Sequence, residues 1–528
     1  METLHLYFFV CLLILLSLRK YAQWRDTIRS IQDYPGLRCI FGAETAIIWF
    51  RIPYISVGIF SGWKTKHQDF AQYGSDIISA QVSILPRPHV AFFLADAQAI
   101  KDVTNARHRF TKPVENMGVL SFYGENVVVT EHDEWKRHRK VTAPAFTERN
   151  MRLVWDVTTK SFEELCEVVW NGLNEIAVDN IADITVNMMI LVIGNAAFGQ
   201  EMSWVDRNTL PAGHAIKLKD AMSVVARDIL MKAIFPEWVL THVPISRVRR
   251  FYTASNELKL YMEEMIQSRR SGESLGGNDL ITCLLKANDD GVSKGAAHLS
   301  DSEVMGNIFA FLVAGAIPNF TTAHSLAFAL ILLALHQDEQ RALYQHIKSV
   351  LPDGRVPSYD DMSQLTYSLA VFLESLRMFA PVSMIPKQAE EDSVLTMQTP
   401  DGELRTVFCP AGSRVMIHVA GLHYNPRYWP DPYAFKPARF LDKEWPRDAL
   451  LAFSTGPRGC IGRRFAETEA VAAITYLVSR FRIEIKDEPQ YKGESEAERR
   501  ERLLKGKISL TFGPAQAPLV FKRRTGCD

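Results

Sequence analysis

One cysteine in this chain stands where a thiol can do chemistry. In Phe453-Ser454-Thr455-Gly456-Pro457-Arg458-Gly459-Cys460-Ile461-Gly462, Cys460 lies between two glycines, with Arg458 two residues before it and Phe453 seven before it. A helical pattern follows at once, with apolar residues at Ala466, Ala470, Ala473, Ile474, Leu477, Val478 and Phe481. Glu467 and Glu469 in its first turns and Arg480 in its last suit the helix dipole. A cysteine at a helix N-terminus beside an arginine is expected to favour the thiolate, which makes it a metal ligand or nucleophile. The flanking glycines let backbone amides approach the sulfur or a flat cofactor.

Other constellations have to be positioned around it. In Trp135-Lys136-Arg137-His138-Arg139, a four-residue spacing puts Trp135 and Arg139 on one helical face. An indole N–H and a guanidinium placed so can reach the same anionic group. Glu374 and Arg377, three apart in FLESLRMFAP, also share a helical face, and Arg439 follows in Phe435-Lys436-Pro437-Ala438-Arg439-Phe440. Ser300-Asp301-Ser302-Glu303 reads as a capping box that opens a long apolar helix containing Ala314-Gly315 and Thr321-Thr322.

The pattern Phe-x-x-Gly-x-Arg-x-Cys-x-Gly resembles the heme-binding loop of the cytochrome P-450 family, the heme-thiolate monooxygenases. The resemblance covers nearly the whole chain and implies a mainly α fold with small β-sheets after an N-terminal transmembrane anchor. It implies heme b, with Cys460 as the axial ligand whose thiolate pushes electron density onto iron and promotes O–O cleavage. Phe453, Gly456 and Gly462 become cofactor-binding positions of the loop, and Arg458, Trp135 and Arg139 become partners of the heme propionates. Glu374, Arg377 and Arg439 match a buried structural triad that locks the segment carrying Cys460, with Ala438 where the family commonly has an acid. The basic run from Lys136 to Lys140 suits docking of an NADPH-cytochrome P-450 reductase, with cytochrome b5 as a possible second donor.

Composition and organisation agree with this reading. The 528 residues are 47% hydrophobic and 23% charged, a globular composition, and 60 basic against 60 acidic residues give no global basicity for nucleic acid. Seven cysteines without CxxC pairs argue against a zinc site or a disulfide framework and fit a reducing environment. From Leu4 to Leu18 the chain reads LHLYFFVCLLILLSL, followed by Arg19-Lys20. This is expected to be an uncleaved anchor over residues 1–24, in the endoplasmic reticulum membrane with the body in the cytosol. Residues 25–60 form a linker and an interfacial segment, and residues 61–528 the catalytic domain. Strand-like pieces occur at 405–408, 414–419, 508–512 and 518–522. The stretch 269–300 reads as a connection around one short helix, Leu280 to Leu285.

The apolar helix departs from the family pattern. The usual signature is Ala/Gly-Gly-x-acid-Thr, in which acid and threonine deliver protons to dioxygen. Here Ala316-Ile317-Pro318-Asn319-Phe320 separates Gly315 from Thr321, three residues too many, and Phe320 holds the place of the acid. Three residues add roughly 4.5 Å of rise and about 300° of rotation, so a bulge or kink is expected, with Pro318 removing a backbone hydrogen bond. Thr321 and Thr322 are the catalytic candidates. The leading expectation is monooxygenation of an apolar small molecule, with the apolar face from Phe311 to Ile317 lining the pocket. The segments 116–126, 235–243, 383–386 and 511–514 correspond by position to substrate-contacting regions. The run PRYWPDPYAFKPARF resembles fungal members and suggests secondary metabolism, such as terpenoid biosynthesis. A heme-thiolate isomerase or dehydratase that uses no external oxygen, or an impaired, non-catalytic heme protein, are the alternatives raised by the 316–320 segment.

Overall fold

The computed structural model describes residues 2–42, 51–58, 61–85, 88–205, 210–271, 279–293, 295, 297–316, 321–399, 401–508 and 512–525. The chain divides into two compact units. One comprises Met1–Pro113, Val382–Ala434 and Pro446–Gly459, and the other Val114–Pro381, Phe435–Trp445 and Cys460–Asp528.

The first unit begins with a helix over Glu2–Ser30, which continues past the residue-24 boundary expected for the anchor. Its stretch His5–Ser30 is long and apolar enough to cross a membrane, and its side chains from Leu6 to Leu18 are exposed rather than packed on the protein. The unit is built on a five-stranded sheet in the order Ile77–Ser83, His89–Leu94, Arg414–His418, Met384–Ala389, Phe110–Thr111. His89–Leu94 runs parallel to Arg414–His418, and its HVAFFL sequence is buried on both faces after His89, as an interior strand requires. A hairpin of Ser393–Gln398 and Leu404–Cys409 contains the expected 405–408 strand. The second apolar stretch, from 46 to 60, lies partly outside the described residues. Within it, Arg51 makes two hydrogen bonds to Asp69 at 2.7 and 2.8 Å.

The second unit is helical. At its centre lies Thr321–Leu335, apolar on all sides and buried from Leu326 through Ala334. A helix with no polar face has no side for water, so it packs on Ile181–Val192 and Thr366–Met378. The helix expected after Cys460 is Arg463–Arg480, packed against Glu148–Glu164. A three-stranded sheet joins Glu175–Val178, Leu519–Arg523 and Phe481–Ile485. Ile508 and Phe512, expected on one strand, pair across Gly506–Ile508 and Phe512–Pro514, with 509–511 outside the described residues.

Two expectations are corrected here. The 269–300 stretch holds a 14-residue helix, Leu280–Ser293, longer than the short helix expected over Leu280 to Leu285. Its polar end was mistaken for a loop. Asn288 is buried and its amide closes on the backbone of Leu299, donating at 3.1 Å and accepting at 2.6 Å. Arg269, meanwhile, belongs to the Ser246–Arg270 helix and is tied to Asp279. Glu469, expected to suit the helix dipole, lies beyond the first turn of Arg463–Arg480 and is fully buried.

Candidate functional site

The sequence spacing of Glu374 and Arg377 places them one turn apart on Thr366–Met378, facing inward with neither side chain exposed. Arg377 donates from Nε to Glu374 Oε2 at 2.7 Å and from Nη2 to Oε1 at 2.9 Å. Oε1 also accepts from Arg439 Nε at 3.2 Å and from the Lys436 backbone N–H at 2.9 Å. Two cations and a backbone amide therefore converge on one buried carboxylate, drawing 436–439 onto the helix. All three expected triad residues are brought together.

Trp135 and Arg139 lie on His132–Thr142, with Asp133 and Glu134 in the first turn and Arg139 and Lys140 in the last, as the dipole favours. Trp135, His138, Val141 and Thr142 form the buried stripe, and Arg139 is half-buried at its edge. Among the described residues no carboxylate pairs with the Arg139 guanidinium. Burial lowers its pKa, and the group near enough to oppose this is the sulfur of Cys460. A half-buried cation left without an anion is costly, and a charge-assisted hydrogen bond to a ligand oxygen relieves that cost.

Cys460 immediately precedes the two-residue turn into Arg463–Arg480. Its residue surface is exposed, yet protein encloses the sulfur closely enough for desolvation to dominate. Burial raises the thiol pKa, against an opposing N–H from Gly462 and the charges of Arg139 and Arg463. This corrects the expectation of a thiol lowered by its helix terminus. In the protein alone the neutral thiol is favoured, and a bound cation is what makes the thiolate the stable form. Donor type, access and the neighbouring uncompensated guanidinium together fit an iron porphyrin carrying carboxylates.

Phe453, Gly456 and Arg458 belong to the first unit, whose boundary falls after Gly459. There Leu451 N–H donates to His423 Nε2 at 2.8 Å, fixing the start of the loop. Gly456 has φ +69°, and a Cβ there would meet Asn105 Oδ1 at 3.2 Å and the Thr104 carbonyl at 3.3 Å, so the turn needs glycine. Gly462, in the second unit, has ordinary space beside Phe146.

The expected capping box is present: Ser300 N–H donates to Glu303 Oε2 at 2.8 Å and Glu303 N–H to Ser300 Oγ at 3.4 Å. It opens Asp301–Ala316, and Thr321 and Thr322 begin Thr321–Leu335. Residues 317–320, including Pro318 and Phe320, lie outside the described residues. Two of the four segments expected to contact substrate border one cavity of about 260 Å³: Phe122 and Tyr123 from one, Glu237 and Leu240 from the other, with Phe251 and Tyr252 beside the polar Lys232 and Lys259.

Sequence reasoning missed His138, Asn307 and His324 and the burial of Glu469. His138 bonds Asn307 at 2.9 Å, and both are fully buried. His324, one turn after Thr321, has its pKa pushed down to about 4 by burial, and Gly513 leaves the room its ring occupies, since a Cβ there would lie 2.3 Å from Nδ1. Glu469 is pushed well above the carboxylate range by burial, with Oε1 left without a donor among the described residues. Glu134, His138 and Glu303 have metal-ligand spacing, but Arg137 donates to both carboxylates and already supplies the cation there.

Comparison with known proteins gives these features a family. The cytochrome P-450 family model matches residues 51–505. The chain is 54% identical, over 98% of its length and 99% of the relative's, to cytochrome P-450 monooxygenase 124 of Postia placenta. It is 28% identical to cytochrome P-450 monooxygenase AOL_s00215g278 of Arthrobotrys oligospora, covering 86% of this chain and 87% of that one. A bacterial relative, cyclooctat-9-en-7-ol 5-monooxygenase of Streptomyces melanosporofaciens, is 32% identical over 57% of this chain and 61% of its own. With its helical body, small sheets and exposed cysteine beside an uncompensated arginine, the chain belongs to the cytochrome P-450 family, a monooxygenase that holds heme b through a cysteine thiolate and takes electrons from NADPH through a separate reductase.

Proposed function

We propose that Cys460 is the thiolate ligand, that Arg139 and Trp135, with Arg458, hold the propionates, and that the substrate is an apolar small molecule of fungal secondary metabolism. The observation that carries this reading is the half-buried Arg139, near the Cys460 sulfur and with no carboxylate partner among the described residues. The bound heme supplies dioxygen activation, with one oxygen atom entering substrate and the other leaving as water.

Around it, the residues of this chain bind, orient and carry protons. Gly462 N–H steadies the Cys460 sulfur, and Phe453, Gly456 and Gly462 shape the loop that presents it. Glu374, Arg377 and Arg439 hold the 436–439 segment in the chain leading to that loop. Thr321 Oγ1, or that of Thr322 beside it, passes protons toward the reacting oxygen. The cyclooctat-9-en-7-ol oxidation named for one relative supports a terpenoid-like substrate. The exposed apolar helix His5–Ser30 supports anchoring in the endoplasmic reticulum membrane with residues 61–528 as a cytosolic catalytic domain, where NADPH-cytochrome P-450 reductase docks.

The test is the reduced, carbon-monoxide-bound difference spectrum of membranes carrying the parent and Cys460→Ala chains. A thiolate-type Soret band in the parent and its loss in the variant are expected. A band of the same type in Cys460→Ala assigns the ligand to another cysteine.

A further inference from the structure

A fully buried asparagine and a fully buried histidine connect the helix carrying Trp135 and Arg139 to the helix carrying Gly315. Asn307 Oδ1 accepts from the backbone N–H of Val127 at 3.0 Å, which fixes the orientation of its amide. The two hydrogens of Nδ2 then go to the Glu303 carbonyl at 2.7 Å and to His138 Nδ1 at 2.9 Å. Each polar atom of Asn307 is thereby used, and His138 Nδ1 must present a lone pair.

The tautomer of His138 follows. With Nδ1 accepting, the ring is neutral and its proton sits on Nε2, which faces Glu303 Oε1 at 3.4 Å. Burial lowers the pKa of His138, and Arg137, bonded to both oxygens of Glu303, opposes a second positive charge beside it. Glu134 shares Arg137 from the exposed side. The ring is thus held as an oriented hydrogen-bond acceptor, adjacent in sequence to Arg139. Because Trp135, His138 and Arg139 share the single helix His132–Thr142, displacing His138 displaces the backbone that carries the other two.

We infer that His138 and Asn307 are positioning residues for heme retention: their hydrogen bond sets the register of the Trp135–Arg139 helix against Asp301–Ala316, with Val127 held in the same joint. This rests on the reading that Arg139 binds a propionate. The joint reaches the 126–127 segment, His132–Thr142 and Asp301–Ala316 through one amide, and neither of its two residues touches heme in the proposed role.

The test is the first-order rate at which the purified, heme-loaded full chain in detergent gives up heme to excess apomyoglobin. His138→Phe keeps a ring but removes the acceptor, whereas His138→Asn keeps an acceptor oxygen near the position of Nδ1. The expected result is heme loss about 5-fold faster in His138→Phe, on the order of one neutral hydrogen bond. His138→Asn should stay within about 2-fold of the parent, well inside the contribution of one such bond. Asn307→Leu, which removes the donor from the other side, should act like His138→Phe. Asn195→Leu serves as a control for general destabilisation, because its amide closes a comparable set of bonds inside 191–202 without touching His132–Thr142. Equal rates in His138→Phe and His138→Asn overturn the inference. Parent-like heme loss from Asn307→Leu overturns it independently, whether or not His138→Phe folds. Arg139→Leu tests the underlying reading separately: unchanged heme loss there removes the propionate assignment.

Discussion

Glu374 and Glu469 are both fully buried in the same unit, and the protein treats them in opposite ways. Glu374 receives two N–H groups of Arg377, one of Arg439 and one backbone amide, so both of its oxygens are hydrogen-bonded. Glu469 has no such convergence, and burial favours its protonated form. Low polarity around a carboxyl therefore does not decide its state; the number of donors aimed at it does. The first region is organised around a charge, and the second tolerates a neutral acid of similar size. Losing the carboxylate should cripple one and leave the other almost untouched.

The sharpest way to break the comparison is Glu374→Ala. It removes the carboxylate paired with the fully buried Arg377 and should cost about 3–5 kcal/mol, as breaking a buried ion pair does. A large drop in Tm with little heme incorporated is expected, read by thermal melts and heme content; a drop under about 1 kcal/mol removes the triad's role. Arg439→Met should cost less, on the order of 1–3 kcal/mol, because Arg377 remains and the Arg439 side chain is 13% exposed.

Glu303 extends the comparison to an intermediate case. Its side chain is only 14% exposed, and Arg137 together with the Ser300 hydrogen bonds lowers its pKa to about 2. A carboxyl lowered on folding contributes stability that is present above its unfolded pKa and lost as pH falls through the folded one. Glu303→Gln should therefore reduce Tm at pH 7 and approach the parent's Tm as pH falls from about 4.5 toward 2. The same loss at every pH would break that linkage.

The smallest expected effect is at Glu469. A carboxyl raised on folding takes up a proton, so its burial costs progressively more stability as pH rises above the unfolded pKa. Glu469→Gln should match the parent near pH 4 and melt higher than it at pH 8. A lower Tm at pH 8 would mean that Glu469 has a partner that stabilises its charge.

These two glutamates also mark what could be read from sequence. Glu374 was legible because its partner is one helical turn away and its second arginine lies in a recognisable run before the cysteine loop. The loop itself carried Cys460 and Gly456 in a fixed spacing, and the apolar periodicity after it located Arg463–Arg480. The burial of Glu469 is not legible in the same way, because position along a helix does not reveal which face is buried when the helix is enclosed on several sides. His138 and Asn307 were missed for another reason. They are 169 residues apart, and each has an ordinary exposed role in its own helix until the other is placed beside it. The thiol of Cys460 shows the same limit: nearby arginines could be read from the chain, but the desolvation that outweighs them comes only with the folded surroundings.

The hydrogen bond from the Lys436 backbone to Glu374 spans 62 residues of chain. Until that distant segment arrives, the helix presents its acid with only the neighbouring Arg377 to satisfy it, so loop closure comes before the full stabilisation. The 436–439 segment should accordingly dock late in folding and open as one cooperative latch in the native protein. In hydrogen exchange, the Lys436 amide would then report the opening of that latch, ahead of the melting of the central helices.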